Sequence, residues 1–189
     1  MKKILPLFKT TLSLISIYIL GIFQNKNKRS IMFYFPVKIY QDNLFDLIKK
    51  LKKNNNIILV YNLYSKDEIK DKKNSFFIDF NLLKFIPLSN FFLKDIKIFL
   101  TSYVVYVFPP RSINTYISHD IYDAPMVNKS LERKIFLRIN KLDYIFVSSK
   151  ISLDYFKSQF KKFKINAKPK LINAGYIKLD HIKKRIKNS

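Results

Sequence analysis

The chain contains no cysteine and only two glycines, Gly21 and Gly175. Without thiols it has no disulfide framework, no thiolate metal ligand and no cysteine nucleophile. Two isolated glycines exclude the G-x-G-x-x-G loop of dinucleotide-binding folds and the P-loop of NTPases. Neither histidine, His119 or His181, has a second His or Cys at metal-ligand spacing, which disfavours zinc, and we predict no metal site. A nucleotide on this chain would need something other than a glycine-rich loop.

Acidic residues are also scarce. The chain has 36 Lys and Arg against 13 Asp and Glu, which gives a net charge of +23. Such an excess indicates an anionic partner, namely lipid head groups, nucleic acid or a phosphorylated substrate. The alternative is that the excess reflects the base composition of the gene. Lys, Asn, Ile and Phe, which an AT-rich genome favours, dominate the whole chain. An Arg-rich tract, an aromatic RNA-binding motif and a Cys/His finger are all missing, which disfavours nucleic acid.

Residues 1–29 form an apolar segment with basic ends. Lys2 and Lys3 precede the largely apolar Ile4–Phe23, and Gln24–Arg29 is polar and basic. A spanning helix needs about 20 apolar residues, and Lys9 interrupts this run. The pattern favours a peripheral helix lying on an anionic membrane surface. The alternative is a helix packed on its own domain.

The rest of the chain alternates between strand and helix patterns. A strand, an apolar-striped helix and a second strand with short links form a βαβ unit, in which the strands are parallel. The alternation predicts an α/β fold, a Rossmann-like open parallel sheet with helices on both faces. We assign this domain to residues 30–180 and a last basic helix to residues 181–189. The patterns are strands at Ser30–Phe35, Ile57–Val60, Tyr144–Val147 and Leu171–Ala174, and helices at Asp42–Lys53, Ser130–Leu142 and Lys150–Phe160.

The central stretch contains two further predicted strands. Tyr103–Phe108 and Thr115–Ser118 are apolar runs separated by Pro109-Pro110, which cannot continue a ladder. The second run stops at His119. Open α/β sheets bind ligands at the carboxyl ends of their strands. His119 is therefore predicted to lie at the ligand-binding edge.

Two groups of side chains could carry chemistry at this edge. His119 beside Asp120 and Asp123 is suited to general base catalysis, since a carboxylate stabilises and orients the imidazolium. The alternative is a histidine that satisfies loop backbone groups. Ser148-Ser149, after the next strand, would expose backbone N–H groups at a helix N-terminus, which bind anions. The alternative there is an ordinary helix cap.

The order of three motifs resembles a known family. The motifs are Thr115-Tyr-Ile-Ser-His119, Leu142-Asp-Tyr-Ile-Phe-Val-Ser-Ser149 and Ile172-Asn-Ala-Gly-Tyr-Ile-Lys-Leu-Asp180. Together they resemble the N-terminal half of CDP-glycerol glycerophosphotransferases, membrane-associated enzymes of teichoic-acid and capsule-type polymer synthesis. Asp120 stands where the family has glycine, and Ile177-Lys178 where it has Pro-Arg.

The resemblance implies one half of a glycosyltransferase-B-type fold, with residues 30–180 as its acceptor-side domain. The implied reaction is transfer of glycerol phosphate to a lipid-linked or glycan acceptor. The CDP-glycerol donor is expected on a second, nucleotide-binding domain, which a separate partner chain could supply, so this chain would hold no cofactor. The implied location is peripheral, on the cytoplasmic face of the cell membrane. The implied residues are His119, Asp120 and Asp123 for catalysis, Tyr122, Ser148 and Ser149 for substrate binding, and Gly175, Tyr176 and Asp180 for the crossover to the second domain.

Two other functions compete with this interpretation. One is a non-catalytic membrane-surface binding domain, or a truncated remnant of an enzyme. The other is half of a different nucleotide-sugar glycosyltransferase.

Overall fold

The computed structural model describes residues 4–37, 41, 44–68, 75–118 and 132–175. The chain divides into two compact units, an N-terminal unit (Met1–Ile113) and a C-terminal unit (Asn114–Ser189). The N-terminal unit contains α1 (Ile4–Phe23), β1 (Arg29–Phe35), α2 (Phe45–Lys52), β2 (Asn55–Tyr61), a 3-10 helix (Leu63–Glu68), β3 (Ser75–Phe77), a second 3-10 helix (Leu83–Phe85), α3 (Ser89–Phe92) and β4 (Ile98–Thr101).

The strands of the N-terminal unit are parallel, in the order β3-β2-β1-β4. Successive side chains of a strand point to opposite faces. On one face of β1, Met32 and Tyr34 share a core cluster with Leu14 of α1. On the opposite face, Phe33 and Phe35 are equally buried. The central strand is therefore covered on both faces, as in parallel α/β sheets generally.

The C-terminal unit repeats this arrangement on a smaller scale. Its strands are parallel in the order β5-β6-β7. Phe136 is fully buried, and its ring centroid lies 5.9 Å from that of Phe156 and 5.4 Å from that of Phe160. These aromatic contacts join its two helices. The elements are β5 (Ile113–Ile117), α4 (Glu132–Ile139), β6 (Tyr144–Val147), α5 (Lys150–Lys162) and β7 (Lys170–Asn173).

The predicted fold class is confirmed: the chain has an α/β, Rossmann-like architecture of open parallel sheet and helices. The first predicted βαβ unit is confirmed as well, because β1 and β2 pair in parallel with Ile31 opposite Ile57. The last basic helix, predicted at residues 181–189, lies outside the described residues.

The prediction of a strand at Tyr103–Phe108 is wrong. β4 ends at Thr101, whose hydroxyl donates to the Tyr103 carbonyl at 2.8 Å and accepts from the Tyr103 N–H at 3.0 Å. These bonds turn the chain out of the sheet. Val105 is nevertheless buried in the core cluster. The apolar run is thus a loop that packs, and its hydrophobicity reflects burial and not strand pairing.

Candidate functional site

Two serines from neighbouring strands meet at the carboxyl edge of the C-terminal unit. Ser118 follows β5, and its N–H donates to the Phe146 carbonyl of β6 at 2.9 Å. The Ser118 and Ser148 hydroxyl oxygens lie 3.4 Å apart, and both residues are buried. Carboxyl ends of parallel strands are where open α/β sheets bind ligands. The edge predicted from sequence therefore carries a pair of hydroxyl groups.

Ser149 begins α5 as its N-cap. Its hydroxyl oxygen accepts from the Ser152 N–H at 3.1 Å, and its backbone is extended, with φ −153 and ψ 164. The same hydroxyl lies 3.1 Å from the Ser152 hydroxyl. The predicted helix cap is confirmed. An anion site at this helix end stays a prediction.

Only part of the predicted site lies within the described residues. Ser148 lies beside Ser118, which directly precedes His119 in the sequence, and Ser149 is the next residue, at the start of α5. β7 ends at Asn173, and Gly175 follows it with φ +76, a left-handed backbone that favours glycine. The Gly175 N–H donates to the Asn173 side chain at 3.4 Å. The predicted residues outside the described ranges are His119, Asp120, Tyr122, Asp123, Tyr176 and Asp180.

The N-terminal unit has a polar group at its own carboxyl edge, which the sequence analysis missed. Asn62 donates to the Tyr34 hydroxyl at 3.1 Å, and the carboxylate of the buried Asp79 lies close enough to disfavour the ionised form of Tyr34. Burial is the main cause that raises the pKa of Tyr34, and Asp79 and Tyr103 raise it further. Asp79 follows β3 closely, so the strand-end rule that indicated His119 also indicates Asp79.

The helix α1 is apolar on two opposite sides. Thr10, Leu14 and Ile17 are buried against the N-terminal unit. Helical periodicity puts a second group of apolar side chains on the far side. We call this group the outer face of α1. Its members are between 47% and 82% exposed, and they are Ile4, Leu5, Phe8, Leu12, Ile19, Ile22 and Phe23.

An exposed apolar helix face is unusual in a soluble protein, whose surface helices are polar on the side that faces water. By length and composition alone, α1 is long and apolar enough to cross a membrane. The opposite side of α1, however, packs within the protein, because Leu14 and Ile17 belong to the core cluster. The outer face is therefore the side of α1 that the N-terminal unit leaves exposed.

Within the described residues, no three His, Asp or Glu side chains are grouped as a metal site requires. No protein-family model, curated protein or solved structure matches this chain. The resemblance to CDP-glycerol glycerophosphotransferases therefore rests on the order of its motifs. The structure identifies the fold of the chain, which is a Rossmann-like α/β architecture of parallel strands.

Proposed function

We propose that this chain is a membrane-surface α/β domain that serves as the acceptor-side half of a glycerophosphotransferase-like enzyme. The proposal has a docking part and a catalytic part. The observation that carries the docking part is the apolar outer face of α1, opposite a face already used for packing. The catalytic part is supported by the pair of Ser118 and Ser148 at the carboxyl edge, because Ser118 directly precedes His119 in the chain.

The docking surface would insert its apolar side chains at the boundary between head groups and acyl chains. Complete burial of one Leu, Ile or Phe side chain is worth about 1.5–3 kcal/mol. Phe8, Leu12 and Ile19 are at least 47% exposed in the protein, so partial insertion of several such residues gives useful affinity. The net charge of +23 adds attraction to anionic lipids, and salt screens it. The proposed location is the cytoplasmic face of the cell membrane.

The docking part is tested by removing the apolar groups without touching the core. The variant Phe8→Ser with Leu12→Ser should bind anionic vesicles at least about tenfold more weakly, as measured by co-sedimentation. The matched control is Leu137→Ser with Ile151→Ser, two side chains of the C-terminal unit that are 43% and 64% exposed. Equal binding by both double variants and the parent would refute docking through α1. Deleting residues 1–29 is a poorer test, since it removes Leu14 and Ile17 from the core.

In the catalytic part, His119 takes the proton of the acceptor hydroxyl. The acceptor oxygen then bonds to the glycerol-bearing phosphorus of CDP-glycerol, and the bond from that phosphorus to CMP breaks. Asp120 or Asp123 would orient the imidazole. The hydroxyls of Ser118 and Ser148 would help hold the acceptor. The donor nucleotide would be held by a second domain, and the isolated chain should not turn over.

The test is CMP release with a candidate second half, CDP-glycerol and a lipid-linked acceptor. His119→Ala should lower the rate about 10²–10⁴-fold, which is the usual worth of general base catalysis. Its thermal unfolding should match that of the parent. Equal turnover by the variant and the parent would remove His119 from the mechanism, and turnover by the isolated chain would contradict the half-enzyme proposal.

The second candidate function is a non-catalytic membrane-surface domain. The outer face of α1 favours it, because that surface requires none of the predicted catalytic residues. Vesicle binding that depends on Phe8 and Leu12, without turnover in any pairing, would favour this function over the transferase.

A further inference from the structure

The N-terminal unit contains a cavity of about 340 Å³ at the amino-terminal edge of its sheet. We call it the amino-edge cavity. Ser30 and Asn56 line it near the starts of β1 and β2, and Lys97 lines it just before β4. The end of α1 forms another wall through Gly21 and Ile22. The cavity is therefore at the opposite end of the strands from the carboxyl edge.

The charge around the cavity is strongly positive. Its wall includes Lys26, Lys28, Lys94 and Lys97 against one carboxylate, Asp95. Across the part of the chain that the structure describes, none of these lysines forms an ion pair. The ammonium group of Lys94 lies 4.2 Å from the centroid of the Phe91 ring, where the aromatic face holds it. Positive charge that is not neutralised favours an anionic ligand.

The polar wall is held in place by hydrogen bonds within the unit. The Ser30 hydroxyl lies 3.1 Å from the Gln24 side-chain oxygen, and the Asn56 side chain donates to the Asn25 carbonyl at 2.9 Å. The Lys97 N–H donates to the Ser30 carbonyl at 3.0 Å. These bonds fix the loop after α1 against the starts of two strands. The cavity is thus preformed.

Gly21 gives the cavity part of its width. Glycine inside a helix destabilises it relative to alanine. At Gly21, an added Cβ would meet no atom within 4 Å. Packing within the chain therefore does not require glycine at this position. A small residue here keeps open the cavity that it lines.

We propose that the amino-edge cavity binds the phosphate of an anionic phospholipid head group. The proposal rests on the docking of α1 to membranes. Ile22 lines the cavity and also belongs to the exposed outer face of α1, so the cavity opens beside the apolar surface. A lipid could place its phosphate among the lysines and its acyl chains along α1. Ammonium groups form strong, charge-assisted hydrogen bonds to phosphate oxygens.

The test compares binding to phosphatidylglycerol-containing vesicles with binding to phosphatidylcholine vesicles. Two variants alter the cavity: Gly21→Leu fills it, and Lys94→Ala with Lys97→Ala removes two cations. Their matched controls are Ser16→Leu, which adds an equal side chain elsewhere on α1, and Lys49→Ala with Lys50→Ala, which removes equal charge from exposed positions of α2. We expect the preference for phosphatidylglycerol to fall about tenfold in the cavity variants and by less than about twofold in the controls. Gly21→Leu is the sharper variant, because a leucine added to α1 would by itself strengthen binding to any vesicle. A lower preference for phosphatidylglycerol in this variant would therefore come from the filled cavity.

Three other outcomes would overturn the proposal, each in a different way. Equal losses in cavity variants and controls would mean that diffuse charge selects the lipid, and docking through α1 would stand. Undiminished preference in the cavity variants would remove the site. If the parent binds no vesicles, docking itself fails. Glycerol 3-phosphate is then titrated by NMR, and shifts that the cavity variants abolish would mean a site for free phosphate and not for a lipid.

Discussion

The two long helices α1 and α5 both pack one side against their own unit, but their exposed sides differ. Each buries one side against its own unit, α1 through Leu14 and Ile17 and α5 through Phe156 and Phe160. The side of α5 that faces water carries Asp154, Lys157 and Lys161. The corresponding side of α1 carries Phe, Leu and Ile, and Lys9 is the one charged residue among its 20 residues.

This difference bears on the composition of the chain. A general excess of Lys, Asn, Ile and Phe would distribute lysines over the exposed sides of both helices. Several lysines lie on the exposed side of α5, whereas α1 carries a single lysine, Lys9. Composition alone therefore does not explain the outer face of α1. A surface that avoids charge within so basic a chain is typical of an interaction surface.

The largest expected effect concerns the inner faces, where the two helices should behave alike. Leu14→Ala should lower the free energy of unfolding by about 2–5 kcal/mol and Phe156→Ala by about 3–5 kcal/mol, because each leaves a cavity in its core. Leu12→Ala, on the outer face of α1, should change it by less than about 0.5 kcal/mol. Urea denaturation measures all three. A large loss in Leu12→Ala would mean that the outer face of α1 also packs within the protein.

The next effect separates apolar insertion from charge attraction. Leu12→Lys with Ile19→Lys adds two positive charges to the outer face of α1. We expect binding to anionic vesicles to weaken about tenfold, because two apolar contacts are lost. The control, Asp154→Asn with Ser158→Lys, adds the same charge to the exposed side of α5. If the α1 variant binds as tightly as this control, charge and not the apolar face carries the interaction.

A smaller effect is expected at the start of α5. Ser149→Ala removes the hydroxyl that accepts from the Ser152 N–H. An N-cap of this kind is worth about 1 kcal/mol, so the free energy of unfolding should fall by that amount. The control is Ser158→Ala, whose exposed hydroxyl donates to the Tyr155 carbonyl within the helix. A loss no greater than that of the control would show that Ser149 adds nothing as a cap.

The smallest effect is a dependence on pH. Burial, with Asp79 and Tyr103 nearby, raises the pKa of Tyr34 in the folded chain. The folded state therefore holds this proton more tightly than the unfolded state does. The stabilisation is complete below the usual tyrosine pKa of about 10 and is lost as the pH rises above it.

The parent should thus lose stability more steeply above pH 10 than Tyr34→Phe does. Burial and Glu132 also raise the pKa of Tyr155, which is only half-buried, so Tyr155→Phe should change the slope less. Denaturant titrations at several alkaline pH values measure this. Identical slopes for the parent and Tyr34→Phe would contradict the assignment.

The sequence predicts the sheet well because each strand of a parallel sheet is a continuous apolar run between turn signals. Tyr144–Val147 was predicted with its observed bounds. The same rule failed at Tyr103–Phe108, where Val105 reaches the core from a loop. Hydrophobicity records burial, and the two hydrogen bonds at Thr101 that end β4 leave no periodic signal in the sequence.

The candidate sites differ in how far the sequence could reveal them. Ser148 and Ser149 follow a recognisable strand and start a recognisable helix, so their position at the carboxyl edge follows from local patterns. The amino-edge cavity combines Lys26 and Lys28 with Lys94 and Lys97. These pairs come together because β1 and β4 are neighbours, with Ile31 opposite Ile98. Such non-local pairing is not encoded in any one segment.

The most direct test of the central claim uses the absence of tryptophan from the chain. Phe8→Trp puts a single tryptophan on the outer face of α1, and Ile151→Trp puts one at an exposed position of α5. With anionic vesicles, we predict that the emission of Phe8→Trp shifts to the blue and is quenched by brominated acyl chains, while that of Ile151→Trp does neither. An unshifted, unquenched Phe8→Trp on vesicles that have bound the protein would contradict the account, because the membrane would then contact another surface.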